Sequence, residues 1–92
     1  MILVITDNKV KNREAYLSLA KAFVEDTLND KGCREMQLCI DAEQTERVVF
    51  VSKWEEKEDF MAHVQGETFA KHIVGMGPYY VTGTDTFLEI KE

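Results

Sequence analysis

The sequence predicts one α+β domain, an antiparallel sheet carrying helices on one face. Three observations lead there. Hydrophobic periodicity alternates between the strand and helix repeats in the order β-α-β-β-α-β, the split βαβ or ferredoxin-like arrangement. The chain has 92 residues, the size of a single domain over residues 1–92. Apolar residues occur at both parities of the first, third and last strands, so the sheet face away from the helices also needs cover.

Residues 1–6 set Met1, Leu3 and Ile5 against Ile2 and Val4, a strand covered on both sides that Asp7 and Asn8 should end. Over residues 11–29, Ala15, Tyr16, Leu19, Ala20, Phe23, Val24 and Leu28 recur at three- and four-residue steps, giving a helix with one apolar stripe. Asn12 suits its N-cap, and Asp30-Lys31-Gly32 its stop, with Gly32 in a left-handed position. Residues 34–41 alternate, Met36, Leu38 and Ile40 facing one way. After a polar turn at 42–46, residues 47–54 form a second strand rich in β-branched and aromatic residues, closing a hairpin. Residues 55–64 read as a short helix with Phe60, His63 and Val64 on one side. Gly66 interrupts it, and 67–74 restart the pattern with Phe69, Ala70 and Ile73. Gly75-Met76-Gly77-Pro78 is a breaker. Residues 79–90 are the last strand, where Tyr79 and Tyr80 face opposite ways.

Lys and Arg number 11 against 17 Asp and Glu, so the net charge is 11 − 17 = −6. That field repels nucleic acid and anionic membranes, and no basic cluster offsets it. No apolar run reaches the length of a membrane span, and Met-Ile-Leu-Val-Ile is too short for a signal peptide. A soluble cytoplasmic protein is the expectation. Cys33 and Cys39 fit reduced thiols there: six residues along a strand span about 20 Å, too far for a disulfide.

Nucleotide-binding, phosphate-binding and nucleophile-elbow motifs are absent. No metal site is expected, because His63 and His72 lie out of phase on a helix and His63 with Glu67 supplies only two ligands. His63, among Phe60, Val64 and Phe69, has two readings. It is a general base, since histidine changes charge near neutral pH, or a packing histidine held by a neighbour. Trp54 either stacks on a flat aromatic ligand or anchors the helix–sheet junction. Asn8 either hydrogen-bonds a ligand oxygen or caps a turn.

The segment Val51-Ser52-Lys53-Trp54-Glu55-Glu56-Lys57-Glu58-Asp59-Phe60-Met61-Ala62-His63-Val64, followed by Glu67-Thr68-Phe69, resembles the antibiotic biosynthesis monooxygenase family. Lys31-Gly32-Cys33 before the second strand fits the same pattern. The resemblance implies a dimeric α+β barrel, two sheets face to face, with a pocket between sheet and helices in each subunit. It implies a homodimer that oxidises a small aromatic or quinone-like molecule with O₂, without metal or flavin. Matched by motif, His63 and Trp54 fall on recurrent family positions and Asn8 near a polar pocket position, so these three are the catalytic candidates; Phe60, Phe69, His72 and Tyr80 are the pocket candidates.

The fold also includes haem-degrading monooxygenases, which place an Asn after the first strand and a haem-binding His on the later helix. Asn8 fits that pattern. His72 lies about one residue from the expected position, and His63 replaces an aromatic. Haem is therefore the one cofactor left open. Isomerases of small sugar-derived molecules and non-catalytic binding proteins of the same fold are the remaining alternatives.

Overall fold

Four antiparallel strands form one sheet: β1 (Ile2–Val10), β2 (Cys33–Ile40), β3 (Arg47–Trp54) and β4 (Tyr80–Glu89), in the order β2-β3-β1-β4. Helices α1 (Arg13–Thr27), α2 (Lys57–Val64) and α3 (Glu67–Met76) complete the chain, with a 3₁₀ turn at Gly77–Tyr79 before β4. The architecture, a computed structural model, describes residues 1–91; of the domain expected over residues 1–92, Glu92 lies outside them. It is the ferredoxin-like α+β fold that the order of elements predicts.

The alternation of β3 decides which face is the core. Val48, Phe50, Ser52 and Trp54 are buried, while Arg47, Val49, Val51 and Lys53 are half-buried. The buried face meets the helices in two apolar groups. Tyr16, Ala20 and Phe23 of α1 pack with Val10, Val48, Phe50 and Met76. Val4, Trp54 and Phe60 pack at the other end. Each large apolar side chain so buried contributes about 1.5–3 kcal/mol.

Several boundaries differ from the sequence reading, each for a local reason. β1 continues through Asp7 and Asn8 to Val10. Both polar residues stay in the strand because their side chains find partners, Asp7 on Arg47 and Asn8 on Tyr16. α3 continues through Gly75 to Met76, because Met76 is buried in the core and the bare Cα of Gly75 faces Leu19 of α1. Leu19, Leu28 and Ile40, expected inside, are exposed; the α1 stripe is narrower, formed by Tyr16, Ala20, Phe23 and Thr27. Asn12 is the N-cap, with φ 52° and its side chain accepting from the Ala15 N–H at 3.3 Å.

The outward face is less apolar than expected. Register puts Leu3, Ile5, Val49, Val51 and Leu88 together at its centre, but Thr82, Thr84 and Thr86 fill the other outward positions of β4. At one end Arg47 forks onto Asp7, with Nε 3.0 Å from Oδ1 and Nη2 2.7 Å from Oδ2, and reaches Asp41 at 3.0 Å. Asp41 also accepts the Glu43 and Gln44 N–H groups at 2.8 and 2.9 Å, closing the β2–β3 turn. These bonds hold its carboxyl down at about 2, the two backbone donors first and Arg47 next. A carboxyl lowered by folding adds stability above its ordinary range and loses it as pH falls toward the lowered value. Arg47→Ala is therefore expected to raise the pH at which the protein unfolds in acid, read by circular dichroism; an unchanged acid midpoint would show the fork to be silent.

Gly32 follows α1 with φ 83°, the left-handed position expected of it. A Cβ there would overlap the Asp59 side chain, and Gly32 O accepts the Glu55 N–H at 2.8 Å. Gly32→Ala should cost about 1–3 kcal/mol from its backbone conformation, measured by urea unfolding; a loss near zero would mean the turn adjusts freely. Among the described residues no helix is long and apolar enough to cross a membrane.

Candidate functional site

Between the helices and the inner face of the sheet lies a cavity of about 320 Å³. Its size is set by how the layers meet. α1 covers β3 with Phe23 and Tyr16, while α2 and α3 contribute Phe60, His63, Val64, Phe69 and Ile73. Thr6 and Asn8 of β1 and Gly83 and Asp85 of β4 line the sheet side. The wall is mostly aromatic and aliphatic with a few polar groups, the usual make-up of a small-molecule site.

His63 is the most tightly placed polar residue of that wall. Its ring sits 5.6 Å from Phe23, 6.0 Å from Phe60 and 5.8 Å from Phe69, centre to centre. Its side chain is 2% exposed. Nδ1 lies 2.6 Å from Asp30 Oδ2, and Thr68 Oγ1 donates to Asp30 Oδ1 at 2.7 Å. With Nδ1 occupied by the carboxylate, Nε2 is the nitrogen left for a bound molecule. A ring so held can take a proton at Nε2, with Asp30 facing the charge that would form.

A second polar group lies toward Asn8. Its Nδ2 donates to the Tyr16 hydroxyl at 3.5 Å. Burial pushes the Tyr16 phenol above its ordinary range, against the lowering effect of Asn8, so the hydroxyl stays neutral and can donate. A Cβ on Gly83 would overlap Asn8 Oδ1 and press on the Tyr80 hydroxyl, so glycine there leaves room for both. Thr6 Oγ1 donates to Asp85 Oδ1 at 2.7 Å on the same side.

Five of the seven residues singled out in the sequence share this wall: His63, Asn8, Phe60, Phe69 and Tyr80. Trp54 and His72 do not line it. Trp54 is fully buried behind His63, ring centres 5.1 Å apart, edge-on to Phe60, with its N–H donated to Ser52 Oγ at 2.9 Å. That corrects the stacking position: both faces and the polar tip are taken by protein. His72 turns back onto α1, its Nε2 2.5 Å from Asp26. That bond holds the Asp26 carboxyl below its usual range, with Lys71 adding to it. A haem held through His72 does not fit, because the ring is off the cavity and Nε2 is engaged.

Asp30, Thr68, Tyr16 and Phe23 are site residues that sequence reasoning did not assign. Asp30 reads as part of a helix stop, 33 residues from the histidine it meets. Cys33 is no nucleophile: burial first, and Asp30 second, push its thiol up to about 11. Among the described residues no three His, Cys, Asp or Glu side chains cluster as a metal site.

The fold and cavity define a ferredoxin-like domain with a largely apolar cavity between its sheet and its helices. The chain belongs to the antibiotic biosynthesis monooxygenase family, whose model matches residues 1–74. Solved structures agree in fold. One antibiotic biosynthesis monooxygenase is 21% identical over 100% of both chains, with a TM-score of 0.87. SnoaB, a cofactor-independent oxygenase from Streptomyces nogalater, is 11% identical over 99% of this chain and 93% of its own, with a TM-score of 0.86. Rv0793 from Mycobacterium tuberculosis is 18% identical over 99% of this chain and 95% of its own, with a TM-score of 0.83. No curated protein sequence matches the chain.

Proposed function

We propose that the protein is a monooxygenase that oxidises a small phenol or quinol with O₂, using no metal, flavin or haem. The observation that carries this reading is His63 on the wall of an aromatic-lined cavity, its Nδ1 held by a carboxylate and its Nε2 left over. Family membership supports it, as does the likeness in fold to a cofactor-independent oxygenase.

His63 Nε2 takes the proton of a substrate hydroxyl. The resulting anion is electron-rich enough to pass an electron to O₂, and the two radicals combine at a ring carbon. Loss of water from that peroxide leaves one oxygen atom on carbon. A hydroquinone thus gives a hydroxyquinone and water, with all the electrons coming from the substrate. The apolar wall holds the ring and keeps bulk water from the reactive intermediates. Asn8 and Tyr80, on the same wall, would hydrogen-bond a second substrate oxygen.

Oxygen uptake across a panel of hydroquinones and polyphenols tests the reading. Saturable uptake above the uncatalysed rate is expected for at least one member, unchanged by a chelator or by added haem. Saturable binding with no uptake across the panel would replace the oxygenase with a binding protein.

The same reading includes a homodimer joined through the outward sheet face, where Leu3, Ile5, Val49, Val51 and Leu88 would be covered. Light scattering at micromolar concentration should give twice the 10.6 kDa chain mass; a stable monomer would sink it. The proposed setting is the cytoplasm, where both thiols stay reduced, with neither nucleic acid nor membrane as a partner.

A further inference from the structure

We infer that Asp30 and Thr68 are positioning residues that fix the tautomer of His63, keeping a proton on Nδ1 and the lone pair of Nε2 toward the cavity. This rests on the reading of His63 as the base, but its test does not depend on turnover. Neither residue lines the cavity, so neither touches a bound molecule.

The geometry leaves Asp30 little freedom. Both carboxylate oxygens are engaged, Oδ2 by His63 at 2.6 Å and Oδ1 by the Thr68 hydroxyl at 2.7 Å. Its backbone is held as well: the N–H donates to Thr27 O at 2.9 Å, and the carbonyl accepts the Cys33 N–H at 3.1 Å. Two residues on, Gly32 makes the left-handed turn that starts β2. The three groups come from three places, the turn between α1 and β2, the last turn of α2 and the first turn of α3. A carboxylate has only acceptors, so the nitrogen facing it must carry hydrogen. The partner of one imidazole nitrogen decides the state of the other. Thr68 then selects which way the carboxylate faces, because its hydroxyl donates to one oxygen and leaves the other for the ring.

A histidine that merely fills space needs no such chain. The packing need is met by Phe23, Trp54, Phe60 and Phe69 around the ring. The second hydrogen bond, from Thr68, adds nothing to that packing. It adds orientation.

Nitrogen NMR of the imidazole tests this on the whole chain, without substrate. In the wild type the neutral ring of His63 should show the proton on Nδ1. Asp30→Ala should move the ring toward the tautomer that free histidine prefers, with the proton on Nε2. Thr68→Val, which keeps shape and removes only the hydroxyl, should give a partial shift in the same direction. It also serves if Asp30→Ala fails to fold. A wild-type ring protonated on Nε2, or nitrogen shifts unmoved by Thr68→Val, would overturn the inference. Where turnover is measurable, Asp30→Ala should lower kcat by about 10²-fold with little change in KM, the mark of a displaced base rather than a lost contact. If the nitrogen shifts respond and no quinol is oxidised, the positioning stands and the oxygenase reading falls. If oxidation is found and the shifts are indifferent, the reverse holds.

Discussion

Replacing His63 with alanine is expected to lower quinol-dependent oxygen uptake by about 10²–10⁴-fold, the usual contribution of a general base. The expectation follows from position. His63 is the cavity-wall histidine, and its Nδ1 is committed to Asp30, so Nε2 is the nitrogen that the proposed substrate would meet. The same change also removes a buried ring from among four aromatic ones, so some loss of stability accompanies it, about 1–3 kcal/mol. Oxygen uptake is therefore compared at a temperature where circular dichroism shows the variant folded. His63→Gln separates the two effects further: it fills much of the space and can hydrogen-bond Asp30, yet it offers no proton acceptor comparable to imidazole. Both variants folded and turning over at the wild-type rate would remove His63 from the chemistry and leave it a packing residue.

Trp54→Ala is expected to have the largest effect on stability, about 3–5 kcal/mol, as for other buried Trp and Phe truncations. For a domain of this size that corresponds to a fall in Tm of about 12–40 °C. Trp54 is fully buried, packs edge-on to Phe60 and lies against His63, and its N–H is satisfied by Ser52. Removing it opens a void under α2 and frees the floor on which His63 rests. Trp54→Phe keeps most of the ring and loses only the bond to Ser52, so it should cost much less and keep KM near the wild-type value. A Trp54→Phe protein with normal Tm but a KM raised many-fold would return Trp54 to the ligand side of the site.

The parts of this site legible in the sequence are those that local pattern encodes. Helical periodicity places His63, Phe60 and Phe69, and their inward faces emerge from spacing alone. Asn8 and Tyr80 reach the wall although the strand boundaries around them differ, because a strand's alternation persists beyond a polar residue that has a partner. Asp7 illustrates the reason: an acid mid-strand reads as a breaker until Arg47, forty residues on, supplies the fork that accommodates it. Asp30 escapes for the same reason. Its role depends on contacts with α2 and α3, and nothing near it in the chain distinguishes a helix stop from a histidine's partner.

Trp54 and His72 show the opposite limit. A tryptophan at a strand end and a histidine on a short helix carry the right chemistry for a pocket, and Trp54 falls on the family pattern while His72 lies about one residue from it. Which way each ring turns is settled by partners that sequence does not reveal, Ser52 beside Trp54 and Asp26 across from His72. The threonines of β4 make a similar point about the sheet. Both parities of that strand carry large side chains, yet register gives its outward face Thr82, Thr84 and Thr86. The apolar centre of the outward face comes instead from β1 and β3.

The most direct test of the proposed function follows the oxygen itself. The protein is supplied with the quinol that gives saturable uptake, under isotopically heavy dioxygen, and the product is analysed by mass spectrometry. A monooxygenase drawing its electrons from the substrate places one heavy oxygen atom in the product and the other in water. It consumes one dioxygen per quinol and accumulates no hydrogen peroxide. A quinone free of heavy oxygen, with peroxide formed in equal amount, would mean simple electron transfer to O₂ and would contradict the account.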